Sequence, residues 1–104
     1  MTTRHRPPVP LRLIYHRAVV EDDVPRLDAT VRLRIRRAIE GKLTAAPESF
    51  GKPLSHTRLG LWSLRVGPWR VIYALRGEEV WILRIGHRRE VYRHLEDREP
   101  KSEG

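Results

Sequence analysis

Three apolar-rich runs follow one another in the second half of the chain, Leu59 to Val66, Trp69 to Arg76 and Val80 to Ile85, parted only by Gly67-Pro68 and by Gly77-Glu78-Glu79. Runs of this length, rich in branched and aromatic side chains, read as strands, and connections this short that contain glycine leave room only for hairpins. The segment is therefore predicted to form a three-stranded antiparallel meander. Leu11 to Tyr15 is a fourth strand that can pair at an edge of the sheet, its prolines stopping short of the strand interior.

Between the first strand and the meander the periodicity changes. Ala18 to Leu27 carries Glu21, Asp22 and Asp23 where carboxylates suit the start of a helix dipole, and Pro25 limits it to a short helix. From Asp28, a plausible N-cap, Val31, Ile35, Ala38, Ile39 and Leu43 recur at three- and four-residue steps. This marks an amphipathic helix that buries one stripe, with Gly41 late in it and Ala45, Ala46 and Pro47 ending it before a loop over Glu48 to Thr57. Its arginines, Arg32, Arg34, Arg36 and Arg37, fit either a solvated face or an RNA contact. The fold class that follows is α+β, in the order β-α-α-β-β-β plus a short C-terminal helix reaching about Asp97. An antiparallel sheet carries two helices on one face.

Strand parity then divides the side chains. Arg65 points away from Trp62, Leu64 and Val66, and Arg84 away from Trp81, Leu83 and Ile85, so cations are expected on the face that the helices leave open. The three tryptophans keep strand company with Leu, Val and Ile, which favours sheet packing over base stacking.

At 104 residues the chain fits one domain and one site. We expect a tail over 1–9, a single domain over 10–98 and a frayed end over 99–104. The start, Met1 to Pro10, has Arg4, Arg6 and three prolines but no apolar stretch, so a secretory leader is not expected. The apolar residues come in clusters well short of the run of about 18 that a membrane span needs. With no cysteine, disulfides and thiolate chemistry are excluded, and a cytoplasmic protein is expected.

The net charge of +8 rests on 18 arginines and three lysines. Guanidinium forks match phosphate oxygens in pairs and stack on bases, so the excess points to a nucleic acid or ribosomal partner, with an acidic protein as the alternative. The five histidines show no HxxxH or HxH spacing, and no glycine-rich phosphate loop or serine elbow occurs. No metal and no cofactor are expected. What remains is arginine chemistry, with Arg65, Arg70, Arg84 and Arg88 gathered with His87 and Tyr92 around one phosphate.

From about Leu11 to Leu95 the sequence resembles the RelE/ParE superfamily of toxins from bacterial toxin–antitoxin operons. The resemblance lies in Gly51-Lys52-Pro53-Leu54, in the run from Leu61 to Tyr73 with its RVGPWRVIY segment, and in Ile85-Gly86-His87-Arg88-Arg89-Glu90-Val91-Tyr92. For the RelE branch it implies a type II toxin, an mRNA interferase that cuts messenger RNA on the 70S ribosome by attack of a ribose 2′-hydroxyl on the adjacent phosphate, without metal. It further implies a cognate acidic antitoxin of the RelB kind.

Carried over by residue, the resemblance makes Arg70 and Arg88 the phosphate-binding arginines and Tyr92 the residue that stacks on or orients the nucleotide. Arg65, Arg84, Arg89 and Lys52 are candidate RNA contacts beside them, Arg65 being alternatively a structural contact, Arg84 a solvated or antitoxin-paired charge and Lys52 a loop cation. Where the RelE pattern has lysines suited to the general base, this chain has Leu61 and Ser63, so His87, Glu90 and Tyr92 are left as candidates. His87 is an acid or base, a turn residue or a phosphate contact, and the ordinary imidazole pKa of about 6.5 lies nearest neutrality. Two alternatives remain open: a ParE-like inhibitor of DNA gyrase, against which Tyr92 weighs, and a catalytically silent RNA-binding module.

Overall fold

The computed structural model describes residues 10–55 and 59–99. The expected tails at 1–9 and beyond Glu99 lie outside the described residues. β1 (Arg12–Tyr15) leads into a wide helical turn, Val19–Asp23, and a tight one, Val24–Arg26. The short helix expected over Ala18 to Leu27 is thus two turns of different pitch, and Pro25, which lacks an N–H, sits in the second.

α1 (Ala29–Ala38) begins as predicted, with the Asp28 carboxylate accepting from the Val31 amide at 3.0 Å. It widens into the turn Ile39–Leu43, which contains Gly41. The stripe Ile35, Ile39 and Leu43 is buried, at roughly 1.5–3 kcal/mol per side chain. A helical turn, α2 (Pro47–Phe50), occupies the start of the expected loop, and the loop next supplies a two-residue strand, β2 (Lys52–Pro53).

β3 (Leu61–Val66), β4 (Trp69–Arg76) and β5 (Glu79–His87) are the predicted meander. Both turns put a glycine first, Gly67 at φ 61° and Gly77 at φ 60°, the conformation a two-residue hairpin with matching twist demands. The sheet order is β1-β5-β4-β3-β2. β1 takes the edge beside β5, as expected, but runs parallel to it, with Leu13 opposite Val80 and Tyr15 opposite Ile82. The sheet is therefore mixed rather than wholly antiparallel. The helical segment between β1 and β3 brings the chain back to the starting end, so the last strand of the meander lies alongside β1 in the same direction.

One sheet face, with Leu64, Val66, Val71, Tyr73, Val80, Ile82 and Ile85, packs against Val19, Leu27, Ile35, Ile39 and Leu43. Trp62 and Trp69 pack on this core and Trp81 on a second one. That second core corrects the expectation of an open face: Leu61, Ile72, Ala74 and Leu83 are covered by Val91 and Leu95 from the chain after β5. The expected C-terminal helix is a series of turns ending in a tight helical turn, Leu95–Arg98.

The parity of β5 also changes. A bulge opposite Ile72 and Tyr73 pairs Ile72 with Arg84 and Tyr73 with Ile82. Trp81 and Leu83 therefore share the second face with Arg84, and, of the three residues expected opposite Arg84, Ile85 alone points the other way.

β1 ends at Tyr15, which leaves the last part of β5 without a strand partner on that side. A buried ion pair takes its place. Asp23 Oδ2 accepts from the Ile85 amide at 2.9 Å and from Arg98 Nη1 at 2.8 Å, Oδ1 accepts from Arg98 Nη2 at 3.1 Å, and Arg98 Nη1 donates to the Leu83 carbonyl at 3.0 Å. Two side chains 75 positions apart thus satisfy an edge that would otherwise bury bare backbone groups.

Candidate nucleic-acid interface

The hairpin register builds the candidate site. Arg65 stands opposite Arg70 and Arg70 opposite Gly86, while Lys52 stands opposite Ser63 and Ser63 opposite Ile72. Cross-strand partners share a face, so Lys52, Ser63, Arg65 and Arg70 lie on the second face, the one that also carries Val91 and Leu95. Tyr92 completes the group. The turn after β5 folds its ring over the sheet, half-buried, with its hydroxyl 3.3 Å from the Ser63 hydroxyl.

Ser63 is one of the two positions where RelE-type lysines are missing, and here it holds the tyrosine. Leu61, the other, is buried in the second core, where a lysine would have to give up hydration.

Arg70 is half-buried, and its Nη1 donates to the Gly67 and Trp69 carbonyls, each at 2.8 Å. Neutral carbonyls hold the guanidinium in place without cancelling its charge, which leaves it available to an anion. The Arg88 amide donates to the Pro68 carbonyl at 2.9 Å, so the start of the exposed Arg88 side chain is fixed at the same β3–β4 turn. From α1, Arg34 reaches that turn as well: a Cβ added at Gly67 would lie 2.9 Å from its Nη1. Sequence periodicity had left Arg34 on a helix face without a place.

The remaining expected residues divide. Arg84 lies on the second face but nearer the β5 edge, and its Nη1 donates to the Arg93 carbonyl. Burial, then the neighbouring Arg98 charge, holds its pKa below the ordinary arginine value. Arg89 is exposed, its amide donating to His87 Nδ1 at 3.2 Å. His87 corrects the expected constellation. It pairs with Trp69, edge-on at 5.6 Å between ring centres, on the face opposite Arg70. Glu90 is exposed beside this second group.

The described residues contain no group of three His, Asp or Glu placed to hold a metal ion. No described helix is long and apolar enough to cross a membrane.

The mixed sheet, the helical arm on one face and the cations on the other define a small α+β fold. The same architecture occurs in the crystal structure of the toxin–antitoxin complex RelBE2 from Mycobacterium tuberculosis. The match has a TM-score of 0.70 at 26% identity and covers 81% of this chain and 98% of that one.

A family model described as the ParE toxin of the type II toxin–antitoxin system parDE matches residues 11–92. The chain belongs to this family of type II toxins, within the RelE/ParE superfamily.

It is 40% identical over 55 residues to Toxin RelG of Mycobacterium tuberculosis (strain ATCC 25618 / H37Rv), 51% of this chain and 63% of that protein. It is also 40% identical over 57 residues to Toxin ParE3 of Caulobacter vibrioides (strain ATCC 19089 / CIP 103742 / CB 15), 55% of this chain and 56% of that protein. Both alignments span less than two thirds of the relative's length.

Proposed function

We propose that the chain is a metal-independent endoribonuclease, an mRNA interferase that binds message in the decoding site of the 70S ribosome and cuts it by attack of a ribose 2′-hydroxyl on the neighbouring phosphate. The observation that carries this reading is the cross-strand pair Arg65 and Arg70 on the same face as the Tyr92–Ser63 hydrogen bond. A pentavalent phosphorane gains negative charge, and guanidiniums already positioned for it are worth about 10²–10³ in rate per donor. Arg70 and Arg88 would hold the phosphate, with Arg65, Arg84, Arg89 and Lys52 along the strand of RNA. Tyr92 would orient the nucleotide, its hydroxyl steered by Ser63. Because His87 faces away from Arg70, proton transfer falls to Tyr92 in this mechanism, or to Glu90 if the turn after β5 adjusts on binding.

The partner in the resting cell would be an antitoxin, the RelBE2 neighbour being a toxin–antitoxin complex, and an acidic one, since covering arginines without counter-charges is costly. A second reading has its own support: the matched family model is that of ParE, and ParE3 is as similar as RelG. On that reading the same fold acts by protein contact on DNA gyrase. Primer extension on translated mRNA, run beside a gyrase supercoiling assay, separates the two. Cleavage of message with supercoiling intact supports the ribonuclease, and inhibited supercoiling with intact message supports the gyrase inhibitor.

A further inference from the structure

On the other side of β5 from Arg70, a recess of about 250 Å³ opens between the helical arm and the turn after β5. Arg26, Trp69, Arg84, His87 and Glu90 line it, with Asp23 at its base. Trp69 and His87 alternate along their strands with Arg70 and Gly86, so the aromatic part of the recess lies on the face opposite Arg70, while Arg84 and Gly86 reach it from the second face around the β5 edge.

Its electrostatics are unbalanced. Both oxygens of Asp23 are committed to Arg98, and one of them also to the Ile85 amide. Asp23 therefore neutralises Arg98, and Arg26 and Arg84 set against the single carboxylate of Glu90 leave the recess with net positive charge. Arg84 is only half-exposed and donates to a neutral carbonyl, that of Arg93. Burial first, and then the Arg98 charge, disfavour its cation, with Asp23 and Asp97 offsetting them in part, so a bound anion at the recess would stabilise it.

The opposite wall is aromatic, Trp69 and His87 meeting at 80° between ring planes. Guanidiniums facing aromatic rings are the recognition elements of single-stranded nucleic acid, the rings taking a base and the cations its phosphate. The Glu90 carboxylate adds an acceptor for base N–H groups. A space this small holds one base or sugar–phosphate unit, below the range of about 300–1,000 Å³ typical of pockets for larger ligands.

We infer that the recess is a second nucleotide site, which takes one unstacked RNA nucleotide with its phosphate on Arg26 and Arg84 and its base against Trp69 and His87. This site rests on the reading of RNA as the target and deepens it: a strand held both here and at Arg70 would bend around the end of β5, fixing which bond reaches Tyr92.

The test reads binding alone, so it does not depend on cleavage. The full-length ¹⁵N-labelled chain is titrated with a nucleoside 3′-monophosphate, with inorganic phosphate and with a glutamate-rich peptide, while the Trp69 indole N–H and the Gly86 and His87 amides are followed. The nucleotide should shift these signals saturably and more tightly than phosphate. Arg26→Gln, at an exposed position, should weaken it by about tenfold or more, as expected for loss of a charged hydrogen-bond donor, with Arg84→Gln doing the same and Arg70→Ala leaving it unchanged. Shifts confined to residues around Arg70 and Tyr92 would overturn the second site while leaving RNA as the target. Peptide binding in place of nucleotide would make the recess a protein-docking site and also overturn it. No response to nucleotide anywhere would remove the second site and the RNA reading together.

Discussion

Removing Arg98 is the perturbation with the largest expected effect on the fold. The Asp23 and Arg98 side chains retain only 6% and 11% of their exposure. Arg98→Met deletes both bonds to Asp23 and the one to the Leu83 carbonyl, leaving a buried carboxylate with the Ile85 amide as its remaining contact in this cluster. Taking one partner from a buried pair typically costs about 3–5 kcal/mol, because the charge left behind is neither hydrated nor paired. For a domain of this size 1 kcal/mol corresponds to roughly 4–8 °C, so a fall in Tm on the order of 12 °C or more is expected. Asp23→Asn keeps an acceptor for Ile85 but loses the charge and should fall less. Urea unfolding followed by tryptophan fluorescence, on both single variants and the double variant, gives the coupling energy, expected at about 1–3 kcal/mol. Single variants within about 1 kcal/mol of the parent, the range of a solvent-exposed pair, would refute the assignment of Asp23 and Arg98 as the plug of the β5 edge.

Gly51→Ala should destabilise, because the added methyl would lie 1.8 Å from the Tyr73 hydroxyl and push it off the Pro47 carbonyl it donates to at 2.6 Å. Tyr73→Phe alone should cost about 0.5–1.5 kcal/mol in denaturant titrations and should partly rescue Gly51→Ala; strict additivity of the two would contradict the steric explanation. Ile35→Ala and Ile39→Ala should each cost about 2–5 kcal/mol by opening a cavity between α1 and the sheet, and full stability of either would place it outside the core. Glu79 accepts from Trp81 and from Arg12, in that order of influence, and these hold its pKa below the ordinary carboxylate value of 4.5. Its folded pKa being lower than its unfolded one, the contribution is complete above pH 4.5 and is lost as pH falls through the depressed value. Glu79→Gln should flatten that acid limb of stability, and an unchanged limb would remove Glu79 as its source.

What was legible in the sequence was local. Gly67-Pro68 and Gly77 specify their turns by backbone conformation, and Asp28 caps α1 through a bond three residues away, so both could be read without knowing the tertiary structure. The direction of β1 was not legible, because LRLIY has the same alternation whether its neighbour runs parallel or antiparallel. Nor was the bulge: one extra residue at Leu83 reverses the faces of Trp81 and Leu83 relative to Arg84, a shift that a strict period of two conceals.

The candidate site was legible in part. Arg65, Arg70 and Lys52 follow from strand register, and Tyr92 from the resemblance. The placement of His87 opposite Arg70 was also legible, since period two already groups it with Ile85 and against Arg84. The partnership of Asp23 with Arg98, the approach of Arg34 to Gly67 and the recess beside Arg26 join residues far apart in the chain. Only the assembled sheet brings them together.

Single-turnover cleavage of message on programmed ribosomes, comparing the parent with Arg70→Ala at the same magnesium concentration, tests the proposed chemistry most directly. An arginine mechanism predicts a loss of about 10²-fold or more for Arg70→Ala, with folding unchanged. Parental cleavage by Arg70→Ala would contradict it.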